Sequence, residues 1–414
     1  MALGSGDLIT ALDVGTTKVC CFIARDEGED GLRVIGIGHQ ISHGLRAGRV
    51  VDMEAVEAAI SATVHAAEQM AGHNIDRVSV NLSGGAPVSH ILSAEVDISG
   101  HEVGLGDLRR VFDRGETHVE SDERELIHAL PIGYSIDGEG GIHDPRGMYG
   151  ERLGARILLV TAASGALRTL RTCIARCHLA SAAPVLSPYA SGLACLVDDE
   201  KNLGVTVIDM GGGTTTVAVF AEGELVFADS LPVGGAHVTN DIARGLSTPM
   251  LHAERMKTLL GSVATSPRDQ HELIEIPPLG EESPESGGQV AKSVLIGIIR
   301  PRIEETFELV RDRLTASGVY RLGGRRVVLT GGASQLQGVA DLAADILDKQ
   351  VRLGRPAQMS GLAEATGGPA FSTCAGLLLF AAQKPHDNAR RALGKADAPA
   401  GQFGRIGQWL RENF

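Results

Sequence analysis

One short motif occurs twice in this chain and limits the possible fold more than any other feature. Asp13 is followed by Val-Gly-Thr-Thr-Lys, and Asp209 is followed by Met-Gly-Gly-Gly-Thr-Thr-Thr. Each motif lies between two short apolar runs, 8–13 and 19–24 in the first case and 205–209 and 217–220 in the second. This pattern predicts a β-hairpin with a glycine-bearing turn. Because the motif returns 196 positions later (209 minus 13), we expect a quasi-duplicated protein of two lobes.

Length and charge exclude several classes of protein. The 414 residues exceed the roughly 250 to 300 at which single cores stop growing, so two or three domains are expected. A net charge of -13 without a basic stripe argues against nucleic-acid binding. Neither a signal-peptide pattern nor a run of about 18 apolar residues occurs, so contact with a bilayer is expected to be interfacial. The six cysteines lie in apolar stretches, which indicates reduced, buried thiols of a cytosolic protein.

Other segments give weaker patterns. Residues 327–329 form an apolar strand candidate that leads into Thr-Gly-Gly-Ala-Ser and then a helical pattern through Leu336, Val339 and Leu342. Helical spacing also marks 56–70 and 293–314. The acidic, proline-rich segment 265–289 is predicted to be a surface loop.

The segment between the two motifs contains a predicted insertion. Residues 84–160 are mixed and polar, with strand candidates at 125–136 and 156–161. We expect the chain to divide into a first lobe of 7–83, 162–200 and 365–383; an inserted subdomain, 84–161; a second-lobe core of 201–228 and 323–364; a second-lobe outer subdomain, 229–322; a flexible tether, 384–402; and a membrane-targeting amphipathic helix, 403–414.

The two hairpins have the chemistry of a phosphate site. Glycine lets backbone N–H groups approach a polyanion closely, and hydroxyls and a lysine assist. The predicted phosphate-binding residues are Gly15, Thr16, Thr17, Lys18, Gly211, Gly212, Gly213, Thr214 and Thr215. Asp13 and Asp209 precede these turns, and phosphate would repel them without a cation between, so we expect Mg²⁺ held mainly through water.

Either glycine turn alone is more often a plain turn. Two matched hairpins with a downstream Gly-Gly-Ala turn favour nucleotide binding much more strongly. The site is not a P-loop, because Gly-x-x-x-x-Gly-Lys-Ser/Thr does not occur in the chain.

These residues resemble the actin, sugar-kinase and heat-shock chaperone superfamily. Within it, the chain looks most like the cell-division actin family FtsA, through Ile136-Asp137-Gly138, Asp144-Pro145-x-Gly147-Met148-x-Gly150, the stretches 238–243 and 253–257, and the tail 409–414. The resemblance covers residues 7–414 apart from the acidic loop and the tether. It implies an α/β, actin-like (ribonuclease H-like) two-lobed fold with a duplicated mixed β-sheet core, an inserted small subdomain and a C-terminal amphipathic helix.

The same resemblance implies ligands and partners. ATP is the expected nucleotide, with Glu254 and Lys257 on one side of the adenosine and Gly331, Gly332 and Ala333 on the other. The alternative for Glu254 and Lys257 is a solvated helix pair. Family partners are further copies of the chain in a filament, the C-terminal peptide of the tubulin-like protein FtsZ, inner-membrane lipids and other division proteins. The expected place of action is the cytoplasmic face of the inner membrane at the division septum.

Two positions depart from the wider superfamily. Thr216 and Ser187 stand where relatives outside this branch often carry acidic residues that organise the metal and the attacking water. We therefore expect a slow ATPase at most, with the nucleotide acting mainly as a conformational switch.

The end of the chain predicts a membrane anchor. On a helix, the aromatic and apolar residues of 403–414 share one face and the polar residues the other. The predicted membrane-binding residues are Phe403, Arg405, Ile406, Trp409, Leu410, Arg411 and Phe414. The alternative is a helix that packs back on the body.

Other functions of the same fold remain open from sequence. A small-molecule kinase would need an acidic base, for which no convincing candidate occurs. A pilus-assembly scaffold has nearly the same architecture but usually lacks such a tail. A heat-shock chaperone is not expected, because it would need a β-rich substrate domain after the second lobe and the sequence predicts none there.

Overall fold

The computed structural model describes residues 8–116, 123–280, 288–357 and 359–383. The strands are, in chain order, β1 (Leu8–Val14), β2 (Lys18–Asp26), β3 (Leu32–Ile41), β4 (Leu45–Arg46), β5 (Arg49–Val50), β6 (Arg77–Leu82), β7 (Val88–Asp97), β8 (Arg124–Ile136), β9 (Glu139–Ile142), β10 (Arg152–Ala163), β11 (Ala180–Ser181), β12 (Val185–Leu186), β13 (Val205–Met210), β14 (Thr215–Ala221), β15 (Glu224–Leu231), β16 (Leu273–Ile276), β17 (Gly288–Ala291), β18 (Arg326–Thr330), β19 (Gln350–Leu353) and β20 (Met359–Ser360). The helices are α1 (Met53–Ala71), α2 (Leu105–Glu116), α3 (Ser164–Arg176), α4 (Ser187–Cys195), α5 (Asp198–Leu203), α6 (Gly235–Gly245), α7 (Met250–Leu260), α8 (Lys292–Ala316), α9 (Val339–Leu347) and α10 (Ser372–Ala382).

The two large sheets have the same internal order. The first runs β11-β6-β1-β2-β3-β20 with β12 also paired to β6, and the second runs β15-β14-β13-β18-β19. In each, three consecutive antiparallel strands (β1-β2-β3, β13-β14-β15) are joined by a later strand that lies parallel to the first of them (β6, β18). The structure thus confirms the duplicated mixed sheet and both hairpins.

Apolar strands of the first lobe are covered on both faces. Residues 19–24 of β2 are all completely buried, because α1 packs on one side of the sheet and α10 on the other. Helix α1 is set by its ends: the side chain of Asp52 accepts the N–H of Ala55, and Gly72 ends the helix in the left-handed conformation. All six cysteines are free thiols and five are buried, as expected.

Helices α4 and α10 join the lobes where they cross. A Cβ atom at Gly376 of α10 would lie 1.7 Å from the carbonyl oxygen of Ala190 in α4, and one at Gly192 would lie 2.6 Å from the ring of Phe220 in β14. Glycine therefore permits backbone-to-backbone contact at this crossing. Helix α4 packs on β13 and β14, and α10 packs on β1, β2 and β6.

The insertion forms a third sheet of order β7-β10-β8-β9. One face packs with α2 around a separate core that includes Ile98, Phe112 and Leu153. The other face contributes Ile132 and Leu158 to the core of the first lobe. The strand candidates at 125–136 and 156–161 correspond to β8 and to the central part of β10.

Two sequence predictions need correction. Within 265–289, which was predicted to be a loop, β16 and β17 form an antiparallel pair. Ile274 and Ile276 alternate with exposed residues and are buried, and the surrounding Pro and Glu residues hide this two-residue period. The helix predicted through Leu336 begins only at Val339, after a 3₁₀ turn at Gly332–Gln335 and with Gly338 in the left-handed conformation.

The predicted tether 384–402 and amphipathic helix 403–414, with all the predicted membrane-binding residues, lie outside the described residues. Across the part of the chain that the structure covers, no helix combines the length and apolarity needed to cross a bilayer.

Candidate nucleotide-binding cleft

The two glycine turns face each other across the lobes. Each turn is closed by the same bond, from Gly15 N to Lys18 O (2.9 Å) and from Gly211 N to Thr214 O (2.8 Å). A Cβ atom at Gly213 would lie 2.3 Å from Thr16 Oγ1, and one at Gly212 would lie 2.4 Å from Thr17 Oγ1. Only glycine permits this approach of the second turn to the first.

A cavity of about 170 Å³ lies at this meeting point. Its walls include most of the predicted residues of both hairpins, namely Asp13, Gly15, Thr16, Thr17, Lys18, Asp209, Gly211, Gly212, Gly213 and Thr214. Thr215 is the exception: it is buried, and its hydroxyl donates to Val233 O at 2.8 Å. The hydroxyl of Thr215 is therefore bonded to the second lobe and not directed into the cleft.

Both predicted metal carboxylates are buried at the cavity wall. Burial raises the pKa of Asp13 to about 6, opposed by Lys18 and reinforced by Asp209. The pKa of Asp209 is also raised by burial, although Ser191, Thr373 and Lys18 oppose the rise. Ser191 Oγ and Thr373 Oγ1 donate to the same oxygen of Asp209, at 2.6 and 2.8 Å. Two carboxylates so placed are costly when both are ionised, and a cation between them would remove that cost.

Thr216 supplies a further oxygen at the same wall. It pairs directly with Asp209 across the hairpin, so the two side chains share a face. Thr216 Oγ1 is buried and has no hydrogen-bond partner among the described residues. Two carboxylates and a free hydroxyl suit a Mg²⁺ ion that keeps several of its waters. Within the described ranges no group of three or more His, Cys, Asp or Glu side chains could hold a metal.

The predicted adenosine residues lie in two layers. Gly331 and Gly332 line the cavity, and Ala333 is buried behind them, 3.3 Å from where a Cβ on Gly235 would lie. Lys257 and Glu254 form an ion pair at 2.7 Å on α7. Lys257 Nζ also donates to Gly235 O (3.1 Å) and to Thr239 Oγ1 (2.9 Å), so the lysine is tied to α6, whereas the side chain of Glu254 is half exposed. Neither residue is part of the cavity wall.

Lys18 makes contacts that its sequence position did not predict. Its Nζ donates to Ala370 O at 2.5 Å and lies 3.5 Å from the centre of the Phe371 ring. The ammonium group lines the cavity but is held by the segment that precedes α10.

Several residues of the cleft were missed or only partly recognised from sequence. Asn81 accepts from Val14 N (2.7 Å) and donates to Ser187 Oγ (3.1 Å), which links β1, β6 and α4. The available signal was the polar side chain of Asn81 near the end of the strand-like segment 78–82. Thr373 carries no comparable signal, because it begins a helix that is apolar on all sides.

Two sheets of the same strand order, with glycine turns that face each other, define an actin-like protein. Solved structures with this fold include a chain of the PilM–PilN type IV pilus biogenesis complex, with a TM-score of 0.65, 18% identity and coverage of 91% of this chain and 99% of that one. MreB5 of Spiroplasma citri bound to AMPPNP has a TM-score of 0.54 and 14% identity, covering 90% of this chain and 95% of that one. At these identities the likeness shows the fold alone.

Sequence relatives give the family. The model of the family Cell division protein FtsA matches residues 206–376, and that of the SHS2 domain inserted in FTSA matches residues 84–161. The cell division protein FtsA of Agrobacterium fabrum is 45% identical over 98% of this chain and 95% of its own length. Those of Pseudomonas aeruginosa and Escherichia coli K12 are 35% and 31% identical, covering 99% and 98% of each chain. The chain belongs to the FtsA family of cell division proteins, and not to the pilus-assembly or kinase branches considered above.

Proposed function

We propose that this chain binds ATP with Mg²⁺ between its two lobes, polymerises, and tethers FtsZ filaments to the cytoplasmic membrane at the septum. The observation that carries the nucleotide part is the contact of two like-built glycine turns beside two buried carboxylates. Backbone N–H groups of such turns are a general solution for holding phosphate. Family membership supports the role in division.

Each side chain of the cleft has a proposed role. The two turns and Lys18 hold the phosphates; Asp13 and Asp209 hold Mg²⁺ through its waters, with Thr216 as an added oxygen. Bound Mg²⁺ supplies positive charge between the carboxylates and the phosphates. Glu254 and Lys257 contact the adenosine on one side, and residues 331–333 contact it on the other.

The cleft favours a switch over a fast enzyme. Ser187 and Thr216 are neutral, and Ser187 Oγ already accepts from Asn81. Neither hydroxyl is a strong base at neutral pH, so activation of an attacking water has little support. Nucleotide then acts mainly by bringing the lobes together.

The membrane and partner roles rest on the family and on residues 403–414. The whole chain has a net charge of -13 and is repelled by anionic lipid, so attachment depends on the apolar face of the predicted tail helix. A filament presents many such tails at once, which converts weak single contacts into firm attachment. The second lobe receives the C-terminal peptide of FtsZ, and later division proteins join the same assembly. The domain division predicted from sequence is proposed with it.

Calorimetric titration of the whole chain with ATP and Mg²⁺ tests the nucleotide site. We expect binding by the natural sequence and a loss of at least about tenfold, or about 1.4 kcal/mol, in Gly213→Ala, whose added Cβ would collide with Thr16. Gly297→Ala is the matched control, since a Cβ there meets nothing within 4 Å. No heat with the natural sequence, or equal affinities in both variants, contradicts the proposal.

A further inference from the structure

The segment Pro369–Phe371 lies between the lobes beside the cleft, and its Pro369 and Ala370 line the cavity. On the side of the second lobe, Pro369 O accepts from Gly331 N at 3.1 Å and from Thr330 Oγ1 at 3.2 Å. On the side of the first lobe, Phe371 stacks on Phe22 of β2 with ring centres 6.0 Å apart. We call this segment the 369–371 clasp.

Lys18 connects the clasp to the first glycine turn, in which Lys18 itself lies. Its ammonium donates to Ala370 O at 2.5 Å and sits 3.5 Å from the Phe371 ring centre. A carbonyl oxygen and an aromatic face are both favourable for a partly desolvated ammonium. Both are nevertheless uncharged, whereas the phosphate of a nucleotide carries full negative charge.

The same ammonium is the one side-chain cation in the cavity wall among the described residues. Its charge already acts on both buried carboxylates, since it lowers the pKa of Asp13 and of Asp209 against the effect of burial. Lys18 therefore lies within electrostatic reach of the place where phosphate and Mg²⁺ are proposed to bind. The ammonium group of a lysine lies at the end of a flexible four-carbon side chain, so it can change partner without movement of the backbone.

We propose that Lys18 has two alternative partners, the 369–371 clasp and the nucleotide phosphate, and that phosphate binding releases the clasp from Lys18. This inference rests on the proposed nucleotide function and assigns its regulation. Helix α10 begins directly after the clasp, and its Thr373 donates to Asp209 at 2.8 Å. Release of the clasp from Lys18 consequently acts on α10, the helix that precedes residues 384–414.

Substitution of Phe371 tests the competition. Phe371→Leu removes the aromatic face but no group that touches phosphate, so ATP should bind about three- to tenfold more tightly, as expected from the strength of one cation–π contact. Lys18→Met should bind ATP at least about tenfold less tightly, from loss of a charged hydrogen bond. Phe380→Leu, in the helix that follows the clasp and packed on Tyr189 and His128, controls for loss of aromatic packing.

A fluorescent reporter tests the same step without relying on affinity. The chain has a single tryptophan, Trp409, so Phe371→Trp in a Trp409→Phe background places the only indole against Lys18. ATP with Mg²⁺ should shift its emission, and the shift should vanish when Lys18→Met is added. The measurement also serves if Phe371→Leu does not fold.

The outcomes separate this inference from the nucleotide proposal. If the natural chain binds ATP but Phe371→Leu binds it no more tightly, or the indole emission does not respond, the clasp is not in competition with phosphate and the inference fails alone. If Lys18→Met binds ATP as well as the natural chain, Lys18 does not contact phosphate and the inference again fails. If the natural chain binds no ATP, the nucleotide proposal fails as well.

Discussion

Asp13 and Asp209 hold equivalent positions in the two hairpins but differ in their support. Asp209 accepts hydrogen bonds from Ser191 and Thr373, while no side-chain hydrogen bond to Asp13 occurs among the described residues. Only the charge of Lys18 offsets the burial of Asp13. The ionised form of Asp13 therefore has fewer side-chain partners than that of Asp209.

The first prediction concerns pH and Asp13→Asn in metal-free buffer. Burial raises the pKa of Asp13 from 3.8 to about 6 in the folded chain, so between these values the folded chain binds more protons than the unfolded chain. Stability from this group therefore rises as pH falls from about 6 to about 4, and above pH 6 its charge costs about 3 kcal/mol. Asp13→Asn should exceed the natural chain in free energy of unfolding at pH 7.5 and lose this advantage at pH 4.

Urea unfolding of both chains at several pH values measures this difference. Comparing the two chains cancels the pH dependence that other carboxylates contribute to both. Glu200 is one of these: its pKa is lowered mainly by its hydrogen bond to Arg352, so its contribution to the free energy of unfolding is lost in acid. A difference that does not change with pH would show that Asp13 is ionised without cost.

At the level of elements, the hairpins were predictable and the helix crossing was not. Continuous apolar runs around Gly-Thr-Thr and Gly-Gly-Gly-Thr carry a local signal, because turn and strands are adjacent in sequence. The contact of Gly376 with Ala190 joins residues 186 positions apart (376 minus 190), and an all-round apolar helix such as α10 gives no indication of which face it uses. The hydrogen bonds of Thr215 to Val233 and of Lys18 to Ala370 likewise join residues that are not adjacent in sequence.

The second prediction tests the α4–α10 crossing with Gly376→Ala. A Cβ placed 1.7 Å from a backbone oxygen forces the helices apart, and overpacking of this kind costs about 1 to 3 kcal/mol or more. Gly297→Ala in α8 is the matched helix substitution with free space, and should gain about 0.5 to 1 kcal/mol. Thermal unfolding of the two variants should move in opposite directions; equal midpoints would mean that the helices are not in backbone contact.

On the scale of the whole molecule, family and fold agree on an actin-like member of the FtsA family of cell division proteins. The lobes could be anticipated because the motif repeats, and the insertion because its composition changes. The tail is a separate problem, since residues 403–414 are read from sequence alone.

The third prediction removes residues 403–414. Burying four or five of the tail's large apolar side chains at a lipid surface gains about 1.5 to 3 kcal/mol each before ordering costs, so loss of the tail should abolish co-sedimentation with vesicles while ATP binding by the body is unchanged. Trp409→Ser should weaken vesicle binding strongly, and Gln408→Ser, on the predicted polar face, should not. Undiminished lipid binding by the shortened chain would refute the anchor.

The insertion also has a protective consequence for the second lobe. Strand β15 ends the second sheet, and at Ala228 its outward N–H and C=O are both bonded to the hydroxyl of Ser89 in β7, at 3.0 and 2.7 Å. One serine thus occupies the groups through which a foreign strand would add to this edge. At this residue the inserted subdomain covers the open edge of the second sheet.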